Sequence, residues 1–140
     1  MWLVSIIFPM FVLFTTSTVA FSDEIKDAAY CVGVLRKNIE VKTEVFGAMS
    51  DDALKSYQMR IADKTAIIED AIKQNVLNIE TSYSLAKLGE QEAKACWEQI
   101  LKCEKEGADR SPHYKTESKR LDEICDRDTL KVCKRPMACD

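Results

Sequence analysis

The sequence predicts an all-α protein, a disulfide-stapled antiparallel bundle of about four helices behind an N-terminal signal peptide. Three observations point there. Apolar residues recur at helical steps from Ile25 to Ile39 and again, close to a heptad, from Leu54 to Ala86, the period of helices with one buried face. No stretch alternates convincingly as a strand would, and there are no repeats and no low-complexity tract. Six cysteines, Cys31, Cys96, Cys103, Cys125, Cys133 and Cys139, all follow the apolar leader.

Residues 1–22 carry no charged side chain. Trp2 to Phe14 is apolar apart from Ser5 and Pro9. Small and hydroxylated residues follow, and then Asp23 and Glu24. This order is that of a secretory signal peptide, with cleavage expected after Ala20 or Ser22 and a single domain over residues 21–140. No stable membrane anchor is expected after cleavage, and the destination is secreted or periplasmic. An even cysteine count in a small domain behind such a leader predicts three disulfides formed in an oxidising compartment.

The first helix is expected to begin near Asp23, with Ile25, Ala28, Val32, Leu35 and Ile39 forming its inner stripe and Gly47 ending it. Ser50-Asp51-Asp52 starts the second: a serine oxygen can accept from a free amide of the first turn, and two carboxylates face the positive end of the helix dipole. Leu54, Tyr57, Ile61, Ile68, Ile72, Val76, Ile79, Tyr83 and Ala86 continue a near-heptad seam. An unbroken helix to Glu106 would reach about 84 Å at about 1.5 Å per residue, too long for one small domain. A break is therefore expected within Thr81–Ser84 or at Gly89.

The third helix carries Ala93, Cys96, Trp97, Ile100 and Cys103 on one side, and Gly107 to Arg110 reads as its closing turn. Ser111-Pro112 suits the start of a fourth, with proline at the first helical position where its missing amide costs nothing. Leu121, Ile124 and Cys125 belong to that helix, a further turn follows through Leu130, Val132 and Cys133, and Pro136 stops it. Cys139 then pins a short tail.

Spacing narrows the cysteine pairing. Residues seven apart on a straight helix are separated by about 10 Å of rise, beyond the roughly 7 Å between α-carbons that a disulfide spans. Cys96–Cys103 is excluded, and Cys125–Cys133 too if that segment is one helix. The favoured set nests Cys103–Cys125 inside Cys96–Cys133, because the residue numbers sum to 228 and 229 as across an antiparallel hairpin. Cys31–Cys139 then ties the tail to the first helix. Cys96–Cys125 is the rival, since it suits a tighter turn. From Cys96 to Cys133 the layout resembles the twin-cysteine helical hairpin of the coiled-coil-helix-coiled-coil-helix family. The spacings are shorter than that family's and the leader differs from its mitochondrial address, so no function follows from the resemblance.

The side chains give no catalytic, cofactor-binding or metal-binding constellation. The close cysteine spacings are longer than the short pairs zinc favours, and His113 is the lone histidine. Asp122, Glu123, Asp126 and Asp128 lack the glycine and closing glutamate of a calcium loop. Oxidised cysteines are not nucleophiles. With 20 basic and 23 acidic residues interspersed, no basic face is available for nucleic acid. Trp97, Tyr30, Tyr57 and Tyr83 lie on or beside the apolar seams and are expected in or at the edge of the core.

These observations favour a non-enzymatic protein that binds another macromolecule, as inhibitors, immunity-type proteins, effectors and assembly factors do. The expected partner is a protein, and the long seam also allows a homodimer. A carrier of a small hydrophobic ligand in an inter-helix cavity is the alternative.

Overall fold

The structure, a computed structural model, describes the backbone of residues 17–108 and 115–140 and the side chains of residues 23–106 and 123–140. Most of the expected leader, the Ser111-Pro112 helix start and His113 lie outside these residues. Four helices form an all-α bundle: α1 (Ser17–Phe46), α2 (Asp51–Lys73), α3 (Ile79–Ala108) and α4 (Lys115–Met137). Helix α1 begins before the expected Asp23 and runs through both expected cleavage points. The described core starts only at Ile25, so a cut at Ala20 or Ser22 would spare it.

The α1–α2 connection follows from its residues. Gly47 adopts φ 84°, and its amide bonds to the Thr43 carbonyl at 3.1 Å, closing α1 in the left-handed conformation that glycine tolerates. Ser50 then caps α2, its hydroxyl accepting from the Ala53 amide at 3.3 Å, with Asp51 and Asp52 in the first turn.

The break in the long seam lies at neither expected place. It falls at residues 74–78 and is made by two asparagines. Asn75 takes φ 57°, while the Val76 amide reaches the Ala71 carbonyl at 2.9 Å and the Asn75 amide reaches Ile72 at 3.0 Å. These are the paired bonds of a Schellman cap with asparagine in the glycine position. Asn78 then accepts from the Thr81 amide at 2.7 Å and starts α3. Thr81–Ser84 is consequently helical, and the seam stops being core at the turn: Ile79 is 71% exposed and Tyr83 67%.

Gly89 is not a break either; it lets two helices touch. A β-carbon there would overlap the Tyr30 carbonyl of α1, and one on Gly33 would overlap the Ala86 carbonyl of α3. The two glycines bring these backbones together, and α1 packs most extensively on α3. Below the crossing, Ile25, Ala28, Ala29, Val32, Ile68, Ala71 and Leu77 form one core cluster. Above it, Tyr30, Cys31, Val34, Ala93 and Cys139 form a second.

Helix α4 runs antiparallel along α3, held by Cys96–Cys133 and Cys103–Cys125 with α-carbons 4.8 and 5.9 Å apart. Cys31–Cys139 joins the tail to α1 at 5.3 Å. The segment from Ile124 through Cys133 is one continuous helix, with Leu130 exposed, and Gly107 and Ala108 still belong to α3. Pro136 does not stop α4 at once. It sits one residue before the end, where its missing amide affects only the last turn.

Candidate functional site

The second core cluster ends in a cleft to which three elements contribute. On α1, Asn38 and Lys42 lie four residues apart and so share a face. On α3, Cys96, Trp97 and Ile100 lie along the adjoining face. The end of α4 and its tail supply Pro136, Met137 and Asp140, which completes a cleft of about 180 Å³. Two disulfides fix the walls, because Cys96 is itself in the lining and Cys139 immediately precedes Asp140. Amides of Ala138, Cys139 and Asp140 each bond to the carbonyl three residues back, which tightens the tail into short turns.

A polar network runs behind this cleft. Asn38, only 6% exposed, accepts the Trp97 indole N–H on Oδ1 at 2.9 Å and donates through Nδ2 to Asp140 at 3.4 Å. Asp140 also faces Arg60 of α2 at 3.6 Å. The Arg60 guanidinium lies 4.6 Å from the centre of the buried Tyr57 ring, and its Nε is buried without a hydrogen-bond partner among the described residues. Lys42 donates to the Tyr57 hydroxyl at 2.6 Å and stands 4.9 Å from the Tyr57 ring centre and 5.9 Å from that of Trp97. Phe46 meets the Trp97 ring edge-on with centroids 6.3 Å apart, yet remains 63% exposed. The cleft therefore has an aromatic and aliphatic floor, an apolar rim, and the Lys42 ammonium, the Asn38 carboxamide and the Asp140 carboxylate at its sides.

The chain matches no protein-family model, no curated protein and no solved structure.

A second polar cluster lies on α1, α3 and α4. The buried Tyr30 hydroxyl donates to Glu92 Oε2 at 2.6 Å, Arg135 pairs with Glu92 Oε1 at 3.5 Å, and the guanidinium carbon sits 4.0 Å from the Tyr30 ring centre. Burial first, and then the neighbouring Glu92 carboxylate, push the Tyr30 phenol well above its ordinary range; Arg135 acts in the opposite direction. Tyr30 is thus a proton donor holding α3 to α1, unsuited to act as a base at neutral pH. Glu92, Lys131, Lys134 and Arg135 also border an open cleft of about 640 Å³, with Val132 and Ala138 completing its lining.

All six cysteines are in disulfides, so no thiolate is available as a nucleophile. Trp97 adjoins the Cys96–Cys133 bridge at the edge of the core rather than inside it, Tyr30 and Tyr57 are buried, and Tyr83 faces out. Asn38, Lys42, Arg60 and Asp140 were not singled out from the sequence. Asn38 carried a signal, since it stands three residues after Leu35 on an otherwise apolar face. The two cations and the aspartate carried none, being charges among many.

Proposed function

We propose that this chain is an extracytoplasmic, non-enzymatic binding protein that engages a protein partner through the Trp97 cleft and its rim. The observation that carries this reading is the exposed apolar rim on a rigid frame: Phe46 and Met137 stand out beside Trp97 on elements fixed by two disulfides. Exposed aromatic and sulfur-bearing side chains over a small pocket are the composition of interface centres, and a fixed frame lowers the ordering cost of binding. Three disulfides fit an oxidising environment, which supports secretion or export to a periplasm. Among the described residues no helix is long and apolar enough to cross a membrane.

The carrier alternative has less to support it. The Trp97 cleft of about 180 Å³ is smaller than the roughly 300 Å³ at which ligand pockets begin, and the hollow of about 400 Å³ lined by Ile72, Val76, Leu77 and Ile79 at the α2–α3 turn lies open at the surface. The larger cleft beside α4 is open, and four of its six lining residues, Glu92, Lys131, Lys134 and Arg135, are charged. A photo-crosslinking amino acid at Phe46, with Glu69 of α2 as the control position, tests the reading in the protein's own compartment. A discrete adduct formed from position 46 and absent from position 69 is expected. Equal labelling at both positions, or purified protein that carries a tightly held small molecule in native mass spectrometry, would contradict it.

A further inference from the structure

Lys42 is the unusual charge in the cleft. Its hydrogen bond among the described residues goes to a neutral phenol, its ammonium stands 4.9 and 5.9 Å from two aromatic ring centres, and it is only partly exposed. Nearby carboxylates are already engaged: Asp140 by Arg60 and Asn38, and Glu40 by Lys37 at 2.6 Å. Among the described residues the cleft thus holds a half-buried cation with no carboxylate at ion-pair distance, beside an apolar floor sized for one side chain. Such a cation favours an incoming anion, because hydrogen bonding to a carboxylate replaces water that the aromatic walls exclude.

We propose that the Trp97 cleft receives a single apolar side chain from a protein partner, and that a carboxylate next to that side chain in the partner's sequence pairs with Lys42. The proposal rests on the binding-protein reading and assigns the chemistry of its partner. Trp97, Ile100, Pro136 and Met137 take the apolar group, and Phe46 extends the contact along the partner's backbone. Lys42 sets the register, since the carboxylate must lie at the α1 side of the cleft. The oxidised frame holds all three walls in place before binding, so affinity is not spent on ordering them.

Selection of a displayed random-peptide library on the oxidised full chain tests this, followed by NMR titration of the enriched synthetic peptide. Enriched sequences should pair an apolar residue with an adjacent Asp or Glu, and binding should shift the Trp97 indole and Asn38 side-chain amide signals. Lys42→Gln should weaken that peptide about tenfold or more, the loss expected for one charge-assisted contact. Lys134→Gln, at the other cleft, should leave it unchanged. Met137 is 58% exposed, so Met137→Glu should fold normally and still weaken the peptide by placing a like charge in the cleft. A consensus without a carboxylate, undiminished binding to Lys42→Gln, or no enrichment would overturn the assignment. Shifts at Tyr83 in place of Trp97 would overturn it too, while leaving a binding protein that uses a different face.

Discussion

The Asn38 carboxamide accepts the Trp97 indole N–H at 2.9 Å while its amide nitrogen reaches Asp140 at 3.4 Å, so one buried side chain joins α1, α3 and the tail. Removing it leaves the indole donor without that acceptor in a half-buried site. Asn38→Ala is expected to cost about 1–3 kcal/mol in denaturant unfolding. Combined with Trp97→Phe, which removes the donor, it should show a coupling of at least about 0.5 kcal/mol. Strict additivity of the two substitutions would contradict the shared hydrogen bond.

Gly33 and Gly89 mark the closest approach of α1 and α3, and each faces a backbone carbonyl that cannot swing aside as a side chain would. In an exposed helix, replacing glycine by alanine stabilises by up to about 1 kcal/mol. Here the sign should reverse, with Gly33→Ala and Gly89→Ala each destabilising by about 1–3 kcal/mol through forced helix separation. A gain in melting temperature for either variant would show that the helices do not meet there.

Asn75 sits at φ 57° between α2 and α3. Asn75→Gly is expected to be neutral or slightly stabilising, whereas Asn75→Val, a β-branched residue in left-handed backbone, should cost about 1–2 kcal/mol. Thermal unfolding of the two variants in parallel separates backbone strain from loss of the asparagine side chain. Equal melting temperatures would argue against the cap.

Tyr30 provides a pH signature. Its phenol is held above the ordinary value of about 10 by burial and by Glu92, so the folded state keeps a proton that the unfolded chain releases. The contribution is full below about pH 10 and is lost as pH rises through the folded-state value. Stability should therefore decline above about pH 10, and Tyr30→Phe should flatten part of that decline. An unchanged alkaline slope in the variant would place the Tyr30 hydroxyl in water.

The helical class was legible because the three-and-four spacing of Ile25, Ala28, Val32 and Leu35 has one physical meaning, a helix with a buried face. The α1–α2 connection was legible for a related reason: Gly47 and Ser50 are strong, specific capping residues. The α2–α3 turn was not. Asparagine is acceptable within a helix, at its left-handed end and at its start, so Asn75 and Asn78 did not stand out in a seam that continued in register through Val76, Ile79 and Tyr83. Gly89 misled because glycine serves both as a breaker and as a contact point, and only the facing Tyr30 carbonyl distinguishes these uses. Of the cleft, the α3 face of Cys96, Trp97 and Ile100 was legible and its polar residues were not. Arg60 and Asp140 meet across a fold that brings distant segments together, and nothing in their local sequence sets them apart from solvated charges.

Everything proposed for the cleft depends on the disulfides that build its walls. Proteolytic digestion of the exported protein without reductant, with the linked peptides identified by mass spectrometry, measures that frame directly. The account predicts Cys31 joined to Cys139, Cys96 to Cys133 and Cys103 to Cys125, with no free thiol. A Cys96–Cys125 link would shift α4 along α3 and displace the Pro136–Met137 wall, and free thiols at Cys31 and Cys139 would leave the tail unfixed; either result would contradict the site.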